Sequence, residues 1–104
     1  MQMLWCWRCK MEVPMLDEIE YKEAHRLYGI GFRNDQIPLS KPVERFSKLI
    51  SYYREVSGGW EETVPNSIMH HRISSFGPAC HSCGKPYRTP VAAFCAACGH
   101  SDMG

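Results

Sequence analysis

The sequence lacks the features that mark membrane, secreted and strongly nucleic-acid-binding proteins. No apolar run in its 104 residues approaches the length of about 18 that spans a bilayer. Lys and Arg number 12 and Asp and Glu number 11, so a net charge of +1 provides no excess of one sign for binding nucleic acid or a membrane surface. No basic start is followed by an apolar run, so no signal peptide is predicted. We expect a cytoplasmic protein that does not associate with membranes.

Motifs of the common catalytic sites are also missing. The sequence contains no His-Glu-x-x-His, no phosphate-binding loop, no nucleophile elbow and no deaminase pattern of His-x-Glu with Pro-Cys-x-x-Cys. The carboxylates of Asp17, Glu18 and Glu20 are typical of a helix N-terminus rather than of an acid–base pair. We therefore expect no enzymatic activity.

The sequence does contain six cysteines, and all of them fall in Cys-x2-Cys pairs. Such pairs are typical of metal or redox sites in cytosolic proteins, whereas disulfides belong to oxidising compartments. Structural zinc sites take four thiolates as two close pairs. In the C-terminal two pairs the second cysteine is followed by Gly84 or Gly99, and glycine permits the left-handed turn that aims backbone N–H groups at sulfur. One structural zinc site is predicted at Cys80, Cys83, Cys95 and Cys98.

The segment from Cys80 to Gly99 resembles small bacterial zinc-ribbon modules. Their pattern is Cys-x2-Cys-Gly, a spacer of about ten residues, then Phe-Cys-x2-Cys-Gly, and this chain has 11 residues between its two pairs. The resemblance covers about a quarter of the chain. It implies a C-terminal zinc-ribbon hairpin but says little about function, because such ribbons occur in transcription factors, ribosomal proteins, enzyme subdomains and adaptors.

The third pair, Cys6-x2-Cys9, needs further ligands if it is to hold a structural zinc ion, and Lys10 stands where the other pairs have glycine. Two histidines, His70 or His71 among them, could complete a second zinc site. A four-thiolate site shared between protomers, a redox-active dithiol, and an arrangement that joins Cys6 and Cys9 to one C-terminal pair are the alternatives. We favour a second zinc with a ligand from His70 or His71. Neighbouring side chains on a helix point about 100° apart, so the two histidines cannot easily face one ion together.

Turn and boundary residues divide the chain into three parts. Residues 1–15 carry the first cysteine pair on a strand or turn, residues 16–76 are mostly helical, and Gly77-Pro78 opens residues 77–104, the predicted ribbon. We expect a small α+β fold stabilised by metal, with two to three helices and a C-terminal zinc-ribbon hairpin. Residues 1–76 and 77–104 are its two parts, within one compact unit.

Three helix starts can be read from capping residues. Asp17 with Glu20 matches a capping box, and the helix it opens is predicted to end between Tyr28 and Arg33. Ser40 is the predicted N-cap of a second helix with Pro42 in its first turn and Gly58-Gly59 beyond its end. Pro65 begins a third, shorter helical segment that contains both adjacent histidines.

A second resemblance spans nearly the whole chain. Its residues are Met-Leu-Trp-Cys-Trp-Arg-Cys-Lys near the start, Pro65-Asn66 with His70-His71-Arg72-Ile73-Ser74, and Gly77-Pro78 leading to Cys80. The chain is similar to a family of small bacterial zinc-ribbon proteins that pair an N-terminal Cys-x2-Cys with a C-terminal Cys-Gly-Lys-Pro-x-Arg-Thr-Pro ribbon. The resemblance implies a bacterial cytoplasmic protein and carries no activity that could be transferred.

Protein binding is the function that we expect. Trp5, Trp7 and Trp60 lie in predicted loops or edges, and aromatic residues are common anchors of interfaces. An adaptor, a regulatory subunit or a toxin-neutralising partner would fit. The alternative is a nucleic-acid-binding ribbon that projects Lys85, Tyr87 and Arg88 from its hairpin, although the few cations nearby make a thin electrostatic footprint.

Overall fold

The computed structural model describes residues 1–100, so the last four residues of the predicted 77–104 unit lie outside it. The fold is small α+β, with a two-stranded antiparallel sheet followed by helices, and the predicted class is confirmed at this level. The residues described form four α-helices rather than two to three. In chain order the elements are β1 (Gln2–Cys6), β2 (Met11–Met15), α1 (Glu18–Arg33), α2 (Pro42–Arg45), α3 (Ser47–Val56), α4 (Pro65–His70) and a 3-10 turn (Ile73–Ser75).

The two strands form a hairpin with the first cysteine pair at its turn. The register pairs Gln2 with Met15 at the open end and Cys6 with Met11 at the turn. Val13, Pro14 and Met15 are all buried at the end of β2, so both faces of the strand are covered there. The hairpin therefore places Cys6 within its own core and Cys9 at the edge of that core.

Helix α1 begins as the sequence predicts. The Asp17 carboxylate accepts a hydrogen bond from the N–H of Glu20 at 2.8 Å, and the Glu20 carboxylate accepts one from the N–H of Asp17 at 3.0 Å. This reciprocal capping box satisfies two N–H groups that have no partner within the helix. The helix ends at Arg33, within the predicted range.

The predicted second helix is divided at Phe46 into α2 and α3, which accounts for the larger number of helices. Phe46 leaves the helical conformation, with φ −107° and ψ 27°, and buries its ring against Gly31 and beside Tyr28. The predicted N-cap at Ser40 is wrong. The capping residue is Lys41, and no side chain caps the helix.

Buried apolar side chains form three clusters. Trp60 packs against the first two of them and is itself only partly exposed. Each fully buried Leu or Ile in these clusters contributes about 2 kcal/mol by leaving water. The helical cluster contains Leu16, Ala24, Leu27, Leu49, Ile50, Tyr53 and Ile68, the hairpin cluster Cys6, Val13, Met15 and Phe76, and the C-terminal cluster Cys80, Tyr87 and Cys95.

Residues 77–100 form turns around cysteines, and the sheet does not extend into them. Residues 77–80 run antiparallel to residues 85–87, joined by three backbone hydrogen bonds of 2.9–3.0 Å and one bridge between Ala79 and Pro86. Tyr87, expected to project from this segment, is instead 3% exposed and packs in a cluster with Cys80 and Cys95. Across residues 1–100 no helix has the length and apolar character needed to cross a membrane.

Candidate metal centres

The four C-terminal cysteines converge on one point. Their sulfur atoms all lie within 4.8 Å of one another, with 3.7 Å between the Sγ atoms of Cys80 and Cys98 and 3.6 Å between those of Cys83 and Cys95. A tetrahedron with metal–sulfur bonds of about 2.3 Å has sulfur–sulfur edges of about 3.8 Å. The four thiols are thus spaced as ligands of a single ion, and the cluster could hold a metal.

The backbone gives each C-terminal pair the same turn. The N–H of Gly84 donates to the carbonyl of Cys80 at 2.8 Å, and the N–H of Gly99 donates to the carbonyl of Cys95 at 2.8 Å. Both glycines have positive φ, 78° and 82°, a conformation that costs glycine nothing. We call such a turn a knuckle. The glycines singled out in the sequence occupy the position that requires this conformation.

Each knuckle stabilises the thiolate of its first cysteine. Burial opposes ionisation of Cys80, but the N–H groups of Cys83 and Ser82 outweigh it and lower the pKa of Cys80 below its ordinary value. Burial likewise opposes ionisation of Cys95, and two N–H groups of its own knuckle lower its pKa to about 7. Hydrogen bonds to a thiolate favour the form that binds metal.

The same cluster holds a thiol that resists ionisation. The N–H of Lys85 favours the thiolate of Cys83, but burial and the neighbouring thiols outweigh it and raise its pKa to about 11. Four thiolates cannot share this space without a cation, because like charges disfavour one another. A divalent cation removes the conflict, so its binding is coupled to release of the remaining protons.

The N-terminal pair forms a third knuckle without glycine. The N–H of Lys10 donates to the carbonyl of Cys6 at 2.7 Å, and Lys10 has φ 56°, the only positive φ of a non-glycine residue among those described. A side chain in this conformation costs roughly 1–2 kcal/mol. Lys10 therefore adopts the glycine position of the other knuckles at a conformational cost.

His71 lies opposite this third knuckle. The ligand atoms of Cys6, Cys9 and His71 lie within 4.8 Å of one another, and the Sγ of Cys9 is 3.4 Å from the Nε2 of His71. Tetrahedral bonds of about 2.3 Å to sulfur and about 2.05 Å to nitrogen would separate the two atoms by about 3.6 Å. Cys6 and His71 are fully buried and Cys9 is half-buried. This group could also hold a metal, and it supplies three ligands where the C-terminal cluster supplies four.

A buried hydroxyl group determines which nitrogen of His71 faces the cysteines. The Tyr53 hydroxyl donates to the carbonyl of Pro14 at 2.6 Å, so its proton is already used. The Nδ1 of His71 lies 2.9 Å from the same oxygen and must therefore be the donor of that hydrogen bond. The lone pair is then on Nε2, which faces Cys9. Histidine ligands of metals are commonly oriented in this way by a partner on the other nitrogen.

Backbone pairing places His71 at the end of α4. The N–H of Leu16 donates to the carbonyl of His71 at 2.6 Å, and the N–H of Ile73 donates to the carbonyl of Leu16 at 3.0 Å. Alongside, Arg72 donates two hydrogen bonds to Glu18 at 2.7 and 2.9 Å, which lower the pKa of that carboxyl to about 2. The segment after α4 is thus held to the segment before α1.

The protonation of the N-terminal group suits a cation. Burial and the charge of His70 lower the pKa of His71 to about 4, so His71 is neutral at pH 7. Burial, the neighbouring Cys6 and the charge of Glu62 raise the pKa of Cys9 to about 11. A bound cation would reverse the second effect, because it stabilises the thiolate directly.

The structure brings His71, but not His70, to the first cysteine pair. His70 ends α4 on the side of Trp7 and Arg8, where burial and the charge of Arg8 lower its pKa. The two cysteine groups share no residue, so Cys6 and Cys9 are not joined to a C-terminal pair. Within residues 1–100, no other His, Cys, Asp or Glu side chains form a group of three with this spacing.

Two residues that act on the N-terminal group, Tyr53 and Glu62, were not predicted from the sequence. Tyr53 falls on the apolar face of its helix, and nothing in the periodicity shows that its hydroxyl reaches Pro14 and His71. Glu62 lies close enough to raise the pKa of both Cys9 and Tyr53, yet it stands in a loop with no motif. The one signal in the sequence is a tyrosine on an otherwise aliphatic helix face. A buried hydroxyl group needs a hydrogen-bond partner, so such a tyrosine indicates a polar group nearby in the core.

Comparison with protein-family models, curated proteins and solved structures finds no match to this chain. The two cysteine groups and their surroundings therefore carry the functional argument.

Proposed function

We propose that this chain is a zinc-binding protein without enzymatic activity that acts by binding another protein. The observation that carries the proposal is the convergence of four sulfur atoms with edges of 3.6 and 3.7 Å. Four thiolates complete a tetrahedron and leave no position for water, which is the arrangement of structural rather than catalytic zinc. The two knuckles and the paired segments 77–80 and 85–87 support a zinc ribbon in the C-terminal part.

Zinc is the ion that best fits both groups. Thiolate and imidazole are the ligands that Zn²⁺ takes in structural sites, whereas Mg²⁺ and Ca²⁺ prefer oxygen. At the N-terminal group Cys6, Cys9 and His71 would hold a second zinc ion, with a fourth ligand supplied from outside this triad. Such an ion would join the hairpin of β1 and β2, through Cys6 and Cys9, to the end of α4, through His71.

Exposed apolar side chains support a protein partner, but they are not the tryptophans that the sequence suggests. Trp5, Trp7 and Trp60 are each partly buried. A groove of about 260 Å³ lies instead beside Phe32, Leu39 and Val64, whose exposed fractions are 51%, 60% and 50%. Contiguous apolar surface of this kind loses contact with water when a partner covers it.

Nucleic-acid binding has less support. Of the three residues expected to contact bases or phosphates, Tyr87 is buried, and Lys85 lies 5.0 Å from the centre of the Trp5 ring. The remaining candidate, Arg88, stacks on Trp7 and Phe94 and could still contact a single phosphate, which is fewer than the several phosphates that a nucleic-acid-binding protein neutralises. Stacking on bases requires an exposed aromatic face, which this segment does not offer through Tyr87.

Metal content tests the zinc assignment. Elemental analysis of the purified protein should give two zinc ions per chain. Cys83→Ser and His71→Ala should each retain one, because each removes a ligand from a different group. His70→Ala, the matched control, should retain two. Two zinc ions in Cys83→Ser, or in His71→Ala, would contradict the ligand assignment.

The protein-binding assignment is tested with two exposed apolar residues. Leu39→Ser alters the groove, whereas Ile19→Ser removes an apolar side chain that is 83% exposed and lies elsewhere on the surface. We expect a protein that co-purifies with the wild type from a bacterial lysate to be lost in Leu39→Ser and retained in Ile19→Ser. Equal loss in both variants, or salt-sensitive binding to generic DNA or RNA with no co-purifying protein, would contradict the proposal.

A further inference from the structure

A cleft of about 210 Å³ separates the N-terminal knuckle from the C-terminal cysteine segment. Trp7 and Arg8 line it from the turn between Cys6 and Cys9. The end of α4 and the 3-10 turn contribute a second wall, and the loop between the two C-terminal cysteine pairs contributes a third. We call it the cationic cleft, and the six lining residues used below are Trp7, Arg8, His70, Ser75, Arg88 and Thr89.

The charges around the cationic cleft are of one sign. Arg8 and Arg88 line it, and no carboxylate does. Neither arginine forms an ion pair with any residue between 1 and 100. Other arginines of the protein do have such partners, as the bridges from Arg26 to Glu23 and from Arg54 to Glu61 show. Two guanidinium groups without a carboxylate partner in the described part of the chain make a local positive potential at one small cleft, in a protein whose net charge is only +1.

Both guanidinium groups are held in place by aromatic rings. The Arg8 guanidinium lies 4.7 Å from the centre of the Trp7 ring, and that of Arg88 lies 5.3 Å from the same ring. Arg88 is also 5.1 Å from the centre of the Phe94 ring. Stacking engages the face of a guanidinium group and leaves the N–H groups along its edge free to donate. The donors are therefore oriented before any ligand arrives.

We propose that the cationic cleft binds the phosphate group of a phosphate monoester. Guanidinium groups donate pairs of hydrogen bonds to phosphate oxygens, and Ser75 and Thr89, which also line the cleft, carry hydroxyls that can donate. A tetrahedral dianion offers more acceptors than a carboxylate and so suits donors on separate walls. The volume is below the roughly 300 Å³ at which pockets for whole drug-sized ligands begin, so the phosphate enters with few adjoining atoms. This site goes beyond the proposed function.

Phosphate binding would be linked to both metal centres. Trp7 and Arg8 lie between the N-terminal cysteines, and Arg88 and Thr89 lie between the C-terminal pairs. We therefore expect loss of metal from either centre to loosen one wall of the cationic cleft. The experiment uses the metal-loaded full chain for this reason.

The test is a titration with methyl phosphate, inorganic phosphate and dimethyl phosphate at constant ionic strength, followed by the NMR signal of the Trp7 indole N–H. We expect saturable shifts with methyl phosphate, weaker binding of inorganic phosphate, and none of dimethyl phosphate. Arg8→Gln and Arg88→Gln should each weaken methyl phosphate binding at least tenfold, and Arg88→Lys, which keeps the charge but loses the fork, should fall between. Arg26→Gln, an exposed arginine elsewhere, is the matched control and should not change it.

Several outcomes would overturn the proposal. They are the absence of saturable shifts with methyl phosphate, equal weakening in Arg26→Gln, and binding of inorganic phosphate alone. Binding of a single-stranded oligonucleotide without methyl phosphate would also overturn it, and would favour a nucleic-acid surface. Should Arg8→Gln lose its N-terminal metal, Arg88→Gln decides the matter, because its residue lies in a different segment.

Discussion

Replacing Tyr53 by Phe removes one oxygen atom from the buried network that orients His71. That oxygen makes two hydrogen bonds, of 2.6 Å to the Pro14 carbonyl and 2.9 Å to the His71 Nδ1. Tyr53 and His71 are both 0% exposed, so water cannot replace the lost partner without a rearrangement. The variant leaves one carbonyl and one ring N–H unsatisfied.

The size of the effect follows from those two groups. Each buried polar group left without a partner costs roughly 1–3 kcal/mol, so the two together should lower the free energy of unfolding by about 4 kcal/mol. A small domain has about 5–15 kcal/mol in total, so this loss is large but compatible with folding. Losing the residue that orients a metal-ligating histidine typically weakens metal binding roughly 10- to 100-fold.

Two measurements check this prediction. Competition with a chromophoric chelator should show weaker binding at the N-terminal centre and unchanged binding at the four-cysteine centre, which serves as an internal reference. Denaturation in urea should show the loss of stability. Tyr52→Phe, at the neighbouring half-buried position, should change neither quantity. Equal metal affinity in Tyr53→Phe and the wild type would refute the role assigned to the hydroxyl.

Two further substitutions test the backbone. Lys10→Gly should raise the free energy of unfolding by about 1 kcal/mol in urea denaturation, because glycine adopts a positive φ without strain. Lys10→Ala, which keeps the strained conformation, should leave the free energy unchanged. A destabilised glycine variant would contradict the strain assigned to Lys10. Gly31→Ala should lower the melting temperature at a cost of roughly 1–3 kcal/mol, because its Cβ would overlap the Phe46 ring. Gly29→Ala on the same helix should be neutral or stabilising, since its Cβ meets only the flexible end of Arg33, and equal effects in both would refute the packing argument.

Sequence reasoning succeeds where the determinants are local. The spacing of the C-terminal cysteines and their glycines predicts a group that the structure assembles from 19 neighbouring positions, 80 to 98. The capping box at Asp17 is equally local, because both of its hydrogen bonds join residues three apart. The α+β class follows from the division between a cysteine-bearing hairpin and the helical region.

Sequence reasoning fails where tertiary contacts decide. His70 and His71 are equivalent in sequence, and only the pairing of Leu16 with the segment after α4 turns His71 toward the cysteines. The break at Phe46 reflects burial of its ring over Gly31, a contact between two helices that periodicity within one helix cannot show. The sequence predicts that Tyr87 projects from a hairpin. The structure buries it instead, because the C-terminal segment has few other apolar side chains from which to form a core.

The two metal groups differ in how much chain they enclose. The closest sulfur pair between the C-terminal knuckles joins residues 12 apart, whereas Cys9 and His71 are 62 apart. Closing the longer loop costs about 1.5 kcal/mol more in chain entropy by the logarithmic dependence on length. The C-terminal centre can therefore assemble early and locally, while the N-terminal centre must wait until the helices have brought residue 71 back to the hairpin. During folding the C-terminal group would form first, and the N-terminal group would fix the hairpin to the helices at the end.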